Sequence, residues 1–308
     1  MPDAHATAAP DPPAATRRGR CFLCGGEDGP VVVEENGYRG RACPCGVVYI
    51  DPQPPEGAVD PREDHHVDLY YALPARLRMD WVARFSPGGS LLEVGCGSGQ
   101  LVAEALARGY RAAALEPNPA AAREVSQRLG IPVEEALVEE SRQPDGAYDV
   151  VVHVDLLSHF PDPVLALRSM ARLLRPGGVL CFEVGAFGGL SPRWYRWIGR
   201  MGCPQHRWLY SEAAVRALLA RAELEVAGIR RFALLPSTLV STLGHRWIGS
   251  RAARARTGTR TGDGRAGRAS GLSAAYSAFH YLLRYRLGSL LPVVGPAALF
   301  VAARPRTP

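Results

Sequence analysis

The sequence predicts an α/β fold: a mostly parallel sheet covered by helices on both faces. Three observations carry that expectation. Short apolar runs alternate with helix-period stretches from residue 90 onward. A glycine turn, "GCGSG" at 95–99, joins the first of those runs to a helix. Proline and glycine punctuation, "SPGG" at 86–89 and "RPGG" at 175–178, falls between the expected elements.

The elements follow in order. A helix is expected over 66–88, with Leu69, Leu73, Leu77, Trp81 and Val82 at three- and four-residue spacing. "SLLEVG" reads as a strand and 99–108 as a helix. "YRAAALEP" is a second strand, and 119–129 a second helix stopped by Gly130. "IPVEEAL" is a weak third strand and "YDVVVHVDLL" a strong fourth, followed by a helix over 162–174. "VLCFEVG" is the fifth strand, 211–222 a helix and "ELEVAGIRRF" the sixth strand. "SAAYSAFHYLLRYRLGSLL" reads as an amphipathic helix and "GPAALFVAAR" as a last strand.

Composition sets the class. The 308 residues are 47% apolar and 21% charged, which is ordinary for one large globular domain or two. Residues 1–20 are Pro- and Ala-rich and are expected to form a disordered tail, with no apolar core of a secretory signal. Residues 21–51 hold four cysteines, and 52–65 read as a linker. The α/β domain takes 66–248 and 271–304, interrupted by a flexible Arg- and Gly-rich insertion at 249–270. The net charge is +6, and every cation other than histidine is arginine. Much of that charge lies in 246–286, away from the glycine turn, so nucleic acid is not the first partner expected. No apolar run reaches about 18 residues, so a cytoplasmic, reducing location is expected. Peripheral membrane contact through the apolar 232–248 stretch, the helix after the insertion and the aromatic segment "SPRWYRWIGRMG" stays open.

The glycine turn selects the ligand. A dinucleotide fingerprint needs G-x-G-x-x-G, whereas Gly95, Gly97 and Gly99 give G-x-G-x-G. A P-loop needs a lysine, and the chain has none. Glu93, just before the turn, would repel a pyrophosphate. It would favour a ligand with positive charge and hydroxyl donors, and S-adenosylmethionine carries a sulfonium, an ammonium and a ribose. Glu116, at the end of the second strand, lies where an acid accepts the two ribose hydroxyls.

"LLEVGCGSG", "LEPNP", "YDVVVHVDLLSHFPDP" and "LLRPGGVLCFEV", in that order, resemble the class I S-adenosylmethionine-dependent methyltransferases. The resemblance covers about 66–235 and the strand at 296–303. It implies a Rossmann-like seven-stranded sheet in order 3-2-1-4-5-7-6 with strand 7 antiparallel. It also implies cofactor contacts by Glu93, Gly95, Gly97, Gly99, Glu116 and Pro117, by His153 or Val154, and an adenine site near Ala136 and Leu137. Of Tyr70 and Tyr71, on the helix before the turn, one reaches the cofactor's carboxylate or lines the acceptor pocket, or both pack in the core.

Cys21 and Cys24 form C-x-x-C, Cys43 and Cys45 form C-x-C, and Gly25 and Gly46 follow the pairs. Two such knuckles present four thiolates to one structural zinc. The segment resembles the zinc-binding ribbon ahead of the methyltransferase domain in sugar C-methyltransferases, though those carry a further C-terminal domain. Cys96, Cys181 and Cys203 are expected as buried small hydrophobes.

Histidine suits proton removal from a methyl acceptor at neutral pH. His153 and His159 flank the end of the fourth strand, and His206 lies in "PQHRWLYSEAAVRALLA", ahead of a helix capped by Ser211. The resemblance to the sugar methyltransferases favours His206 as the base, with His153 as a second candidate. In ubiquinone-type O-methyltransferases two acids and a histidine gather a metal; the matching positions are Asp155, Ser158 and His159, and the serine removes a ligand. The expected activity is therefore methyl transfer to an oxygen or carbon of a sugar or specialised metabolite. An RNA methyltransferase and a cofactor-binding regulatory protein without catalysis remain alternatives.

Overall fold

The structure is a computed structural model and describes residues 17–55, 59–60, 72–199, 201–233, 279, 281–287 and 295–306. The insertion at 249–270, Tyr70, Tyr71, the stretch 234–248, most of the linker and most of the helix expected after the insertion lie outside those residues.

The parallel part of the sheet is built from β4 (Ser90–Val94), β5 (Arg111–Leu115), β6 (Val133–Glu134), β7 (Tyr148–Val154) and β8 (Leu174–Ala186). β10 (Leu224–Ala233) and β11 (Ala297–Pro305) form an antiparallel pair, and β11 lies antiparallel against β8. From one edge the strands run β6-β5-β4-β7-β8-β11-β10. The helices are α1 (Ala72–Ala83), α2 (Gln100–Ala107), α3 (Pro119–Leu129), α4 (Pro163–Leu173), α5 (Pro192–Ile198) and α6 (Glu212–Arg221).

Local chemistry fixes the helix ends. Asn118 accepts from the Ala120 and Ala121 amides ahead of Pro119, and Gly130 closes α3 at φ +66°. Asp162 caps α4 in the same way, accepting from Val164 and Leu165. Ser211 caps α6 through the Ala214 amide, as its sequence position suggested.

The core lies on both faces of the sheet. Leu92, Val151, Leu180 and Val184 pack with Leu167, Met170 and Leu218 of α4 and α6. Leu91, Val150, Val152 and Cys181 pack with Met79, Val82 and Leu101 of α1 and α2. Each such fully buried aliphatic side chain contributes about 1.5–3 kcal/mol.

Two features depart from the sequence reading. "RPGG" does not precede the fifth strand but lies inside β8, where the register against β7 jumps from Tyr148↔Leu174 to Val150↔Val179. A bulge takes up the extra residues there. The cysteine segment, in turn, is not an appendage. Its strands β1 (Val31–Glu35), β2 (Tyr38–Ala42) and β3 (Val47–Asp51) form an antiparallel meander. Asn36 and Gly37 turn the first hairpin at φ +52° and +79°, the left-handed geometry of a tight two-residue loop. β3 then pairs with β9 (Trp208–Tyr210), and Tyr210 of β9 pairs with Ala186 of β8. The ribbon and the main sheet thus form one eleven-stranded sheet.

Candidate functional site

The glycine turn leaves β4 with Gly95, Gly97 and Gly99 all at positive φ, +67°, +49° and +68°. Each position matters for a different reason. A Cβ on Gly95 would lie 2.5 Å from Leu156 Cδ1, and one on Gly99 2.9 Å from Val125 Cγ1. Among the described residues a Cβ on Gly97 would meet nothing within 4 Å. Gly97 therefore borders open space, and its backbone offers a ligand a close approach.

The two acids divide the work. Glu93 is buried, and its Oε2 accepts the Val102 N–H of α2 at 2.9 Å. Burial pushes its pKa up to about 8, against the opposing effects of the Val102 amide and Arg78 and with reinforcement from Glu116. Glu93 thus secures the first turn of α2. Glu116 is the acid on the glycine turn itself: its Oε2 accepts from Gly97 N–H at 2.8 Å and its Oε1 from Asn118 N–H at 3.0 Å. Pro117 follows, half-buried, and Ala136 and Leu137 lie half-exposed just beyond β6. The open space at Gly97 and the adjoining Glu116 carboxylate fit an adenosyl ligand with ribose hydroxyls. Tyr71 falls outside the described residues.

His153 is corrected by its surroundings. It lies in β7 with no exposed surface, stacked on Phe182 at 4.9 Å and 9°. Among the described residues neither ring nitrogen has a hydrogen-bond partner, and burial lowers its pKa to about 3. A base must touch its acceptor, and His153 has no surface left to do so. It is a neutral core residue, facing Val94 and Phe182 across the register.

His159 and His206 are brought together instead, their rings edge to face at 4.6 Å. His206 Nδ1 lies 2.7 Å from the Met201 carbonyl. A carbonyl oxygen only accepts, so Nδ1 carries the proton and the neutral ring keeps its lone pair on Nε2. Gly202 makes room for this: at φ +84°, a Cβ there would lie 2.6 Å from Nδ1. The loop between β7 and α4 is anchored to the start of β9 by Arg207 N–H to Ser158 O, Trp208 Nε1–H to Phe160 O and Tyr210 O–H to Leu157 O, each at 2.8 Å. That one loop packs Leu156 over Gly95 and His159 against His206.

Several neighbours of these residues escaped the sequence reading. Glu35, at the tip of the ribbon hairpin, accepts on its Oε2 the amides of Met201, Gly202 and Cys203 at 2.9, 2.7 and 3.1 Å. Asn36 adds a bond from Nδ2 to Cys203 O at 2.8 Å. Arg78 of α1 binds Glu183 Oε2 of β8 through Nε and Nη2 at 2.7 and 2.6 Å, and Tyr285 O–H donates to the other oxygen at 3.0 Å. An acid inside the apolar run "VLCFEVG" was a legible hint of that buried pair. Tyr195, in the aromatic segment, is core, its hydroxyl accepting the Leu190 N–H.

The four knuckle cysteines converge, all sulfurs lying within 4.8 Å of one another. Cys24 faces Cys43 at 3.1 Å and Cys21 faces Cys45 at 3.5 Å. Tetrahedral thiolate zinc, with Zn–S of about 2.3 Å, separates its sulfurs by roughly 3.8 Å. The cluster fits that ion, the C-x-C pair included. Gly25 and Gly46 take φ +77° and +88° behind the two knuckles. Among the described residues, Cys96, Cys181 and Cys203 are buried without such partners.

A family model described as a methyltransferase domain matches residues 64–228. The chain is 35% identical over 117 residues to the ubiquinone biosynthesis O-methyltransferase of Sodalis glossinidius, covering 35% of this chain and 47% of that protein. The same-named protein of Xanthomonas campestris pv. campestris (strain B100) is 35% identical over 113 residues, 34% of this chain and 47% of the relative. The chain thus spans about half the length of these curated relatives. A solved protein of Galdieria sulphuraria described as a sarcosine dimethylglycine methyltransferase superposes with TM-score 0.53 at 16% identity, covering 80% of this chain and 94% of that one. The cyclase SpnF superposes with TM-score 0.51 at 19% identity, covering 80% and 86%. Both share the fold. Among the described residues, no helix is long and apolar enough to cross a membrane.

Proposed function

Because the chain belongs to the methyltransferase-domain family, we propose that it methylates an oxygen or carbon of a small molecule, with His206 as the base. One observation carries this reading: the β7–α4 loop touches the glycine turn through Leu156 and the base candidate through His159. A ligand seated at Gly97 and an acceptor beside His206 would share that loop as a common wall.

The cofactor site would comprise Gly95, Gly97, Gly99, Glu116, Pro117, Ala136 and Leu137. S-adenosylmethionine supplies a methyl group already activated on a sulfonium, so the chain's own task is positioning and proton removal. Glu116 would accept from ribose hydroxyls while its bond to Gly97 N–H keeps the turn shaped. His206 Nε2, left with its lone pair by the Nδ1–Met201 bond, would take the proton of the acceptor. His159, edge-on to that ring, limits its rotation. The ribbon, held by zinc, would support this side of the pocket without performing chemistry.

The cyclase among the structural neighbours is a reminder that this fold does not dictate one reaction. The deciding experiment incubates methyl-labelled S-adenosylmethionine with a fractionated metabolite extract, comparing wild type with His206→Ala. Label in a small-molecule fraction, lost in the variant, is the expected result. Unchanged transfer by His206→Ala removes the base assignment. Binding of the cofactor with no transfer to any fraction would favour a regulatory protein. Transfer to RNA, with binding that falls steeply with salt, would favour the nucleic-acid alternative.

A further inference from the structure

We propose that Arg207 receives an oxyanion of the acceptor, a carboxylate or a phosphate group, beside His206. The inference rests on the methyl-transfer reading for the word acceptor, but its observations are separate. Arg207 is only 9% exposed. Its guanidinium makes a single hydrogen bond among the described residues, from Nη1 to the neutral Gln53 Oε1 at a long 3.5 Å. No carboxylate among the described residues lies within 4.0 Å of it.

Arg78 and Arg41, two other cations drawn into the protein, are treated differently. Arg78 is held by Glu183 and Tyr285 shares that carboxylate, while Arg41 is held by Asp51 at 2.7 Å. A guanidinium has five N–H donors, and a buried cation without an anion is among the least favourable arrangements a fold can keep. Burial correspondingly draws the Arg207 pKa below its ordinary value, with only the Tyr38 phenol acting in the other direction. A ligand that brought the missing charge would turn this unmet demand into affinity.

Its location gives the demand a purpose. The Arg207 backbone donates to Ser158 O at 2.8 Å and accepts from Ile50 N–H at 3.1 Å. The residue is thereby fixed where the ribbon strand β3, the β7–α4 loop and the His206 loop meet. The side chain itself reaches Gln53 and stands near the Tyr38 phenol; a planar fork there recognises two oxygens of a carboxylate or phosphate at once, and a lysine would not reproduce it. Arg207 would then decide which acceptors present their nucleophile to His206.

Calorimetry on the full chain, with zinc and S-adenosylhomocysteine present, tests this with inorganic phosphate, pyrophosphate and acetate, against chloride at matched ionic strength. Saturable binding is expected in the phosphate arms or in the acetate arm, and the arm that binds identifies the group. Arg207→Gln should weaken that binding by about tenfold or more, and Arg207→Lys should restore only part of it. Arg207→Met should melt no lower than wild type without anion, and should lose any anion-dependent rise. The proposal is overturned by binding no stronger than chloride in every arm, or by binding unchanged in Arg207→Gln; should that variant not fold, Arg207→Lys with undiminished binding overturns it equally. Anion binding without any binding of S-adenosylhomocysteine would instead sink the methyl-transfer reading alone.

Discussion

The Gly202 amide donates to Glu35 Oε2 at 2.7 Å across 167 positions of sequence. The Met201 and Cys203 amides converge on the same oxygen. Removing the carboxylate leaves three N–H groups without their acceptor in the loop that carries His206. Glu35→Ala is therefore expected to lower kcat roughly tenfold to a hundredfold, since small displacements of a base cost that much. Cofactor binding by calorimetry should be unchanged, and Glu35→Gln should retain more activity than Glu35→Ala. An unaltered kcat in Glu35→Ala would show that the ribbon contributes nothing to base placement.

Two glycines distinguish the proposed cofactor site from the proposed base. Gly97→Ala puts a methyl group into open space, so its folding penalty is the left-handed backbone alone, about 1–2 kcal/mol. Its main effect should be weaker binding of S-adenosylmethionine, by tenfold or so. Gly202→Ala drives a methyl group to 2.6 Å from His206 Nδ1. It should leave cofactor binding intact and depress turnover nearly as far as His206→Ala. Steady-state kinetics beside calorimetry distinguishes the two patterns.

Glu93 and His153 give stability opposite slopes with pH. The Glu93 pKa rises from its ordinary 4.5 to about 8 on folding, so the folded state holds that proton more tightly. Its contribution is full below about 4.5 and is lost as pH rises toward 8, at about 1.4 kcal/mol per unit at most. His153 falls from 6.5 to about 3, so its contribution is full above 6.5 and is lost as pH falls toward 3. Glu93→Gln should flatten melting temperature between pH 6.5 and 8. His153→Leu should flatten it between pH 3 and 4.5, expose the downward Glu93 slope between pH 4.5 and 6.5, and leave methyl transfer intact. Loss of turnover in His153→Leu would return that residue to the catalytic set.

Arg78 and Glu183 are both nearly inaccessible, with side-chain exposures of 8% and 4%. Breaking the pair should cost far more than removing it. Arg78→Met is expected to destabilise by about 3–5 kcal/mol, while Arg78→Met combined with Glu183→Leu should recover most of the loss. Urea unfolding of the single and double variants measures the difference. Equal destabilisation in both would mean that Glu183 has other support.

Chelation tests the cysteine cluster. The native chain should carry one zinc per chain by elemental analysis. Stripping it should lower the melting temperature and also turnover, because Glu35 belongs to the same ribbon. Cys45→Ser, which removes the less regular knuckle's second sulfur, should have the same effect in weaker form.

Much of this architecture was written in local patterns. Continuous apolar runs such as "YDVVVHV" become strands buried on both sides, and Asn118, Asp162 and Ser211 cap the helices that follow them. The four cysteines were legible because two short spacings leave few alternatives. What escaped depended on distant partners. "WLY" is too short to register as a strand until β3 and β8 flank it. "RPGG" resembles an ordinary break, and only the register jump in β7–β8 absorbs it into a strand. His153 and His206 were indistinguishable as residue types. One became core and the other rim because Val94 and Phe182 flank the first in the sheet, while a glycine and a carbonyl shelter the second. Glu35 carried no pattern at all, since its partners are backbone amides far along the chain.

The pairing of β3 with β9 has a practical side. A shortened chain starting after the linker would strip β9 of its neighbour and bare a row of backbone donors and acceptors. Such a fragment invites self-association through that newly opened edge, and a foreign metal knuckle could not be grafted in its place unless it brought a strand of matching length and direction. Recombination between relatives should therefore carry the ribbon and the segment around β9 together or not at all.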